Sequence, residues 1–245
     1  MRRVHPLSPD HPNPMPASAP SACVIIPAFN EAAAIDGVVR EALTVTPDVL
    51  VVDDGSIDET GRLAAEAGAQ VQRLEANLGK GAALLHGFVW ARERGCEVVV
   101  TLDADGQHDA REIARFIDTY RRTRIPVLIG NRLWDPARMP PIRRWTNQFM
   151  SRLLSRMMGR YLPDTQCGFR LYRTDILAYA PVQSRRFAME SEILLQLALR
   201  GFRMDSVRIP TWYRGETSSI HPILDTVRFI LMLLRFQHER RMRRA

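Results

Sequence analysis

The sequence has few cysteines, few aromatic residues and no long hydrophobic run. Its three cysteines are odd in number, far apart and outside any Cys-x-x-Cys pair, which argues against a disulfide framework and a zinc site. We therefore interpret Cys23, Cys96 and Cys167 as buried or incidental thiols. The apolar run from Phe229 to Leu234 is far shorter than the roughly 20 residues that cross a bilayer. No aromatic-rich basic sheet or recognition helix indicates a nucleic-acid partner.

The first 20 residues contain six of the sixteen prolines and almost no large apolar side chain. Such a segment cannot bury enough surface to fold, so we predict a disordered leader over residues 1–20. Arg2 and Arg3 resemble the start of a signal peptide, but no apolar run of the required length follows them, and we expect the protein to stay in the cytoplasm. The net charge of +7 and the pI near 10.0 favour anionic partners such as nucleotide diphosphates, lipid phosphates or membrane surfaces.

From residue 22 the sequence alternates between short apolar runs and amphipathic stretches. Five runs rich in β-branched residues predict strands at 23–26, 49–52, 71–74, 97–102 and 126–129. The stretches between them predict helices, and Ser56 with Glu59 has the spacing of a capping box that would open one of these. Such alternation predicts an α/β fold, in which a mostly parallel sheet is covered by helices on both faces.

Polar residues follow three of the predicted strands. In a parallel sheet, ligands bind beyond the carboxyl ends of the strands, because the loops and helix N-termini there offer free N–H groups. The loops at this edge contain Asn30-Glu31, Asp53-Asp54-Gly55-Ser56 and Asp103-Ala104-Asp105-Gly106-Gln107. We therefore expect a ligand site where these three loops meet.

Asp103 and Asp105 lie two residues apart at the end of an extended strand. Their carboxylates should project to the same side and can share one hard divalent cation, with a diphosphate substrate completing the shell. Gln107 could add its amide oxygen, and His108 is interpreted as a hydrogen-bonding residue or a ligand. An Asp-x-Asp motif alone also fits two solvated acids at a helix start, so it is weak on its own.

Four segments occur in the order and spacing of family 2 glycosyltransferases with the GT-A fold. They are Val24-Ile25-Ile26-Pro27-Ala28-Phe29-Asn30-Glu31, Val51-Val52-Asp53-Asp54-Gly55-Ser56-Ile57-Asp58-Glu59-Thr60, Asn77-Leu78-Gly79-Lys80-Gly81 and Thr101-Leu102-Asp103-Ala104-Asp105-Gly106-Gln107-His108. The segment 165–170, which reads Thr-Gln-Cys-Gly-Phe-Arg, is similar to one in the branch of dolichyl- and polyprenyl-phosphate sugar transferases. The resemblance implies a Rossmann-like GT-A domain over residues 21–220, followed by an amphipathic helix and basic tail over residues 221–245.

The resemblance also implies a role for individual residues in binding a UDP- or GDP-sugar. Asp54 would accept a hydrogen bond from the base, beside a nucleoside pocket lined by Pro27, Phe29, Glu31 and Val52. Mg²⁺ or Mn²⁺ would be held on the diphosphate by Asp103, Asp105 and Gln107. Further donor-site residues would be Lys80, Ala104, Arg170 and Arg214, and Arg132 would neutralise phosphate charge.

The acceptor implied by the resemblance is a polyprenyl phosphate, reached by inverting displacement at the anomeric carbon. Some relatives have a carboxylate immediately before the Phe-Arg pair, whereas this chain has Gly168 there, and a lipid phosphate, already anionic, needs no general base. Should a base exist, Asp164, Glu190 and Glu192 are the candidates, with Asp164 and Glu192 preferred. The residues after Arg214 lack the lysine expected in that branch, which leaves a hydroxyl acceptor as the alternative.

Two further alternatives remain from the sequence. The chain could be a non-catalytic nucleotide-binding scaffold, although such a protein has no use for all of Asp54, Asp103 and Asp105. The C-terminal helix, with its apolar run and terminal arginines, fits a position on the inner face of the cell membrane and packing against the core equally well.

Overall fold

The strands of the computed structural model form one sheet within the residues that the structure describes, which are 21–135, 139–182, 188–212 and 229–237. The strand order is β3-β2-β1-β4-β6-β5-β7. All strand pairs are parallel except those of β6, which runs antiparallel to both β4 and β5. The strands are β1 (Ala22–Ala28), β2 (Val49–Asp53), β3 (Gln70–Arg73), β4 (Val98–Thr101), β5 (Val127–Asn131), β6 (Arg170–Arg173) and β7 (Met204–Arg208).

Helices connect these strands and cover the sheet. They are α1 (Ile35–Leu43), α2 (Thr60–Glu66), α3 (Lys80–Glu93), α4 (Ile113–Thr123), α5 (Pro141–Met158) and α6 (Ala188–Leu199). Every residue of β1, β2, β4 and β5 is buried. Because successive side chains of a strand point to opposite faces, both faces of these strands must be covered. This confirms the α/β fold with a mostly parallel sheet that the alternating pattern predicted.

The short strand β6 was not predicted. It begins and ends with an arginine, so its sequence lacks the apolar run by which the other strands were recognised. In the sheet Thr101 of β4 lies opposite Arg170, and so does Ile129 of β5. Because β6 runs antiparallel to β4, the loop before β6 lies at the edge of the sheet where β4 ends.

The predicted capping box at Ser56 and Glu59 is wrong. Helix α2 begins at Thr60, and its N-cap residue Glu59 makes no capping hydrogen bond with its side chain. The Thr60 N–H instead donates to Asp58 Oδ1 at 3.0 Å. The Ser56 hydroxyl instead accepts a hydrogen bond from the Asn30 N–H at 3.0 Å. This side chain therefore ties two loops together rather than starting a helix.

The interpretation of all three cysteines as unpaired thiols is also corrected. The structure joins Cys23 and Cys96 in a disulfide, with the two Cα atoms 6.1 Å apart, while Cys167 is free and buried. The partners are 73 residues apart in sequence. They meet because β1 and β4 are parallel neighbours, with Cys23 opposite Val99.

Residues 229–237 are helical and are named α7 here. A second apolar cluster joins this helix to α5 and α6, and it contains Leu154, Met157, Leu195, Phe229, Met232, Leu233 and Phe236. Of the two interpretations of the C-terminal helix, the structure shows packing against the domain for this part. Among the described helices, none combines the length and apolar character needed to cross a bilayer. Residues 1–20, Arg214 and most of residues 221–245 lie outside the described residues.

Candidate active site

The loops that follow β1 and β2 are tied together by hydrogen bonds. The backbone N–H groups of Asn30, Glu31 and Ala32 donate to side chains of the other loop. Their acceptors are Ser56 Oγ at 3.0 Å, Thr60 Oγ1 at 2.7 Å and Asp58 Oδ2 at 3.1 Å. Asn30 has a positive φ of 57°, which asparagine tolerates better than most residues. The polar residues of both segments therefore form one rigid rim beside the exposed ring of Phe29.

Asp54 fixes the loop that leads into α3. Its two carboxylate oxygens accept hydrogen bonds from the Leu78 N–H at 2.8 Å and the Gly79 N–H at 2.7 Å, and the residue is 1% exposed. Each oxygen has two lone pairs, so further donors can still be accepted. The neighbouring Asp53 braces its own turn, as its Oδ1 accepts from the Ser56 N–H at 2.8 Å.

Lys80 lies at the first position of α3 and connects distant parts of the chain. Its Nζ is 2.5 Å from Asp103 Oδ1 and 2.9 Å from Glu190 Oε2. Burial alone would lower the pKa of Lys80, but the two carboxylates outweigh burial and raise it above its ordinary value. Likewise, burial opposes ionisation of Asp103, yet the Lys80 ammonium holds the pKa of that carboxyl below its usual range. Both groups are charged at neutral pH.

Asp105 and Gln107 complete the loop after β4. Asp105 Oδ1 accepts a hydrogen bond from the Gln107 N–H at 3.0 Å, and the Gln107 carbonyl accepts from the Trp212 N–H at 3.0 Å. Ala104 is buried between the two aspartates. Within the described ranges, no group of three or more His, Cys, Asp and Glu side chains is arranged to hold a metal. A cation here would thus need ligands beyond the two carboxylates, which is the situation expected when a diphosphate completes the shell.

Gly168 lies directly against the charged pair of Lys80 and Asp103. A Cβ added at Gly168 would stand 2.6 Å from Lys80 Nζ and 2.7 Å from Asp103 Oδ1, and it would overlap Asp103 Oδ2. The Gly168 carbonyl accepts a hydrogen bond from Thr101 Oγ1 at 2.9 Å, which anchors it to β4. Only glycine fits this position while the two charges keep their places.

Arg132 and Asp164 form a two-pronged ion pair. Arg132 Nε donates to Asp164 Oδ2 at 2.8 Å and Nη2 donates to Oδ1 at 3.0 Å. Burial would raise the pKa of Asp164, but the Arg132 guanidinium lowers it below its ordinary value. A buried carboxylate with both oxygens bound to an arginine is poorly suited to act as the general base that the sequence suggested. Its position fits the task of orienting Arg132.

Replacing Asp164 with Asn is therefore expected to lower the free energy of unfolding by about 3 kcal/mol, because Arg132 would lose its buried counter-charge. Urea denaturation measures this loss. Asp118→Asn is a matched control, because Asp118 is exposed and pairs with Arg121 only at 3.5 Å. A change of less than about 1 kcal/mol is expected there. An equal loss in both variants would show that the buried ion pair of Arg132 and Asp164 contributes no more to the free energy of unfolding than an exposed pair.

Arg170 does not fit the donor-binding role that the resemblance implied. The side chain is completely buried, and its donors bind the carbonyls of Cys167 at 2.7 Å, Glu190 at 2.9 Å and Thr165 at 2.9 Å. Burial opposes its charge, but the Tyr172 hydroxyl and the Glu190 carboxylate raise its pKa still further. Arg170 therefore holds the loop before β6 in shape. No sequence pattern indicates this role, because exposed arginines are far more common than buried ones.

The remaining predicted residues lie around the same edge of the sheet. Pro27, Val52 and Ala104 are buried as whole residues, with Val52 at 0% and Ala104 at 3% exposure, so they offer almost no surface to a ligand. Glu31 and Gln107 are partly exposed, and Glu192 is buried on α6. Glu190, considered from the sequence only as a base, proves to be the second partner of Lys80. Its contact with Lys80 joins residues more than a hundred positions apart, which no local pattern could predict.

His108 is buried behind the loop. Its Nδ1 lies 3.5 Å from the Thr211 hydroxyl and its Nε2 lies 4.0 Å from Cys167 Sγ. Burial, with the positive charge of Arg132 acting in the same direction, lowers the pKa of His108 to about 4. The ring is thus neutral at neutral pH, and its contacts agree with the hydrogen-bonding role.

Comparison with known proteins gives a family match and named relatives. The model of the family described as Glycosyl transferase family 2 matches residues 23–179, which is more than half of the chain. An undecaprenyl-phosphate mannosyltransferase of Micrococcus luteus is 32% identical over 202 residues, covering 76% of this chain and 81% of that protein. A dolichyl-phosphate hexose transferase of Haloferax volcanii is 31% identical over 202 residues, covering 81% of this chain and 86% of that protein.

A solved structure with a similar fold is the glucosyl-3-phosphoglycerate synthase of Mycobacterium tuberculosis, crystallised with Mn²⁺, UDP-glucose and phosphoglyceric acid. The TM-score is 0.69 and the sequences are 19% identical. The match covers 89% of this chain and 79% of that chain. At this level of identity the likeness concerns the fold.

Proposed function

This chain belongs to glycosyl transferase family 2, and from that premise we propose that it transfers a sugar from a nucleotide-diphosphate sugar to a polyprenyl phosphate, with inversion at the anomeric carbon. The relatives named for transfer to undecaprenyl and dolichyl phosphate support this acceptor. So do the side chains of Lys80 and Arg132, which suit phosphate groups although each is also paired with a carboxylate.

The contact of Gly168 with Asp103 and Lys80 is the observation that carries the acceptor assignment. A carboxylate at this position, which could serve a hydroxyl acceptor as base, has no room. The nearby carboxylates of Asp164 and Glu190 are held by Arg132 and Lys80. A phosphate oxygen is anionic at neutral pH and attacks without losing a proton, so this site suits a phosphate acceptor.

The transfer then exchanges one bond for another. A lone pair of the lipid phosphate oxygen forms the new bond to the anomeric carbon, while the bond from that carbon to the diphosphate oxygen breaks and its electrons leave with the nucleoside diphosphate. No proton has to move. Arg132, oriented by Asp164, stabilises the negative charge that grows on the departing group.

Asp103 and Asp105 would hold Mg²⁺ or Mn²⁺, with Gln107 as a further oxygen donor. The Lys80 ammonium supports this to the extent that it keeps Asp103 ionised, because an ionised carboxylate is the ligand that a hard divalent cation takes. The metal, when bound, supplies positive charge to the diphosphate leaving group. Lys80 is placed to keep Asp103 ionised and to meet the phosphates from the N-terminus of α3.

The nucleoside would lie on the rim formed by the loops after β1 and β2. Phe29 and Glu31 offer side chains there, with the buried residues Pro27, Val52 and Ala104 packed behind this surface. Asp54 can accept one more hydrogen bond from the base. Both UDP and GDP satisfy this chemistry. We place the protein in the cytoplasm, at the inner face of the membrane that contains the acceptor.

Calorimetric titration with UDP and GDP, each with and without Mn²⁺, tests the donor site. We expect one of the two nucleotides to bind only with the metal. Transfer is then followed with the matching radiolabelled sugar nucleotide and a short-chain prenyl phosphate, which should gain the sugar in the inverted configuration. Binding of neither nucleotide would contradict the enzyme assignment, and transfer to an alcohol but not to the phosphate would contradict the acceptor.

A further inference from the structure

Helix α5 exposes three large apolar side chains on one face. Ile142, Trp145 and Phe149 are 83%, 76% and 66% exposed, and their spacing of three and four residues places them along a single line of the helix. We call these three residues the α5 stripe. A soluble surface rarely presents an aliphatic and two aromatic side chains side by side without a partner.

The same face of α5 becomes basic towards its C-terminus. Arg152 and Arg156 continue the spacing of the α5 stripe and are exposed. The sequence of α5 contains no acidic residue but two further arginines, Arg143 and Arg144. The opposite face is the one that packs on the domain, through residues such as Leu154 and Met157. The exposed face of α5 therefore combines large apolar side chains with arginines, and α5 contributes no negative charge to it.

We propose that α5 lies on the surface of an anionic lipid bilayer, with the α5 stripe inserted at the level of the headgroups. Trp and Phe are suited to this interfacial depth, and arginines beside them can reach lipid phosphates while their stems stay apolar. Charge complementarity selects an anionic membrane over a neutral one. The proposal rests on the proposed function, which requires access to a lipid acceptor.

Contacts of α5 connect this surface to the acceptor side of the site. The Ser151 hydroxyl accepts a hydrogen bond from the Thr165 N–H at 2.9 Å, and the Ser155 hydroxyl accepts one from the Leu162 N–H at 3.0 Å. These bonds fix the helix to the segment that leads to Asp164 and Gly168. A bilayer bound by α5 would hold its phosphate plane close to Arg132 and Gly168.

The structure also separates α5 from the helix that the sequence suggested for membrane contact. Helices α5 and α6 cover Phe229, Met232 and Phe236 of α7. The apolar surface of these three side chains is therefore buried within the domain and cannot contact a membrane. The outer face of α7 also exposes apolar side chains, since Ile230, Leu231 and Leu234 are 48%, 53% and 56% exposed, but unlike the α5 stripe they are not continued by a row of arginines within the described residues of α7. Ile230 and Leu234 provide a matched control, because they allow the same number of exposed apolar side chains to be removed elsewhere.

Flotation of the full-length protein with vesicles of phosphatidylcholine, with or without phosphatidylglycerol, tests the proposal. We expect binding to the anionic vesicles only. The variant with Trp145→Ser and Phe149→Ser should lower the bound fraction by about tenfold or more, since two apolar anchors leave the bilayer. The control variant with Ile230→Ser and Leu234→Ser should change it by less than about twofold.

Equal flotation of the α5 variant and the unchanged protein would overturn the proposal, as would a loss confined to the α7 variant. Sedimentation velocity on the same samples tests whether a second copy of the chain, instead of a membrane, covers the α5 stripe. If the unchanged protein forms a dimer but does not bind vesicles, and the α5 variant is monomeric, then the α5 stripe is a dimer interface and the membrane proposal is overturned.

Assays in solution distinguish a failure of the membrane proposal for α5 from a failure of the proposed function. The α5 variant should keep metal-dependent nucleotide binding and transfer to a soluble short-chain prenyl phosphate, and it should lose only transfer to acceptor embedded in vesicles. Absence of solution transfer in the unchanged protein would refute the proposed function, while flotation still decides the role of α5.

Discussion

Asp105→Asn is expected to lower kcat for sugar transfer by about three orders of magnitude, because the carboxylate that we propose to share the metal with Asp103 would lose its charge. The substitution keeps the size and shape of the side chain, and an amide oxygen can still accept the hydrogen bond from the Gln107 N–H seen at 3.0 Å. The loop should therefore stay folded. Steady-state transfer rates over a range of Mn²⁺ concentrations measure the effect.

Asp109→Asn is the matched control in the same loop. Asp109 accepts a hydrogen bond from the Arg111 N–H at 2.9 Å and pairs with the Arg111 side chain, and asparagine serves that capping position equally well. Its kcat should stay within about twofold of the unchanged protein. An Asp105→Asn variant with unchanged kcat and unchanged need for Mn²⁺ would remove Asp105 from the metal site.

Gly168→Ala is expected to reduce kcat by about a hundredfold while the stability of the fold hardly changes. The added Cβ would collide with the Asp103 carboxylate and with Lys80 Nζ. Both are ends of side chains, which can swing away at little cost in folding energy, but the displaced charges would no longer meet the metal and the diphosphate. A misplacement of about 1 Å can cost such a factor. Transfer rates and thermal melting of the same sample separate the two effects.

Gly37→Ala serves as the control for Gly168→Ala. Gly37 lies in α1, and a Cβ added there meets nothing within 4 Å. Alanine in a helix is favoured over glycine by about 1 kcal/mol, so this variant should be slightly more stable and fully active. If Gly168→Ala is as active as Gly37→Ala, the close approach of Gly168 to the charged pair has no part in the reaction.

The regular part of the fold could be predicted because its signals are local. Apolar runs mark β1, β2 and β5, and the loops after β1, β2 and β4 contain the polar residues of the site. The strand β6 escaped because one of its arginines, Arg170, is buried by carbonyl partners that only the folded chain brings together. Hydrophobic patterning cannot anticipate a charge that is stabilised in this way.

The meeting of the loops after β1, β2 and β4 could be predicted, but the contacts that surround Lys80 and Arg132 could not. Asp103 and Asp105 follow from a motif, whereas the link from Lys80 to Glu190 and the pair of Arg132 with Asp164 join separate segments. The role that we propose for Asp164 changes once its partner is known, because a carboxylate that binds an arginine through both oxygens is better placed to orient that arginine than to act as a base. Long-range contacts, not local preferences, decide these assignments.

The antiparallel strand β6 has a consequence for how the chain is made on the ribosome. β4 and β5 both precede β6 in the chain, yet each needs β6 as a neighbour in the sheet. Because β6 begins about 40 residues after β5 ends and about 70 residues after β4 ends, synthesis at about 5–20 residues per second leaves the β5 edge open for roughly 2–8 seconds and the β4 edge for roughly 3–14 seconds. During that interval the two apolar strands can pair with each other or bind chaperones, and only the arrival of β6 brings Gly168 against Asp103 and Lys80.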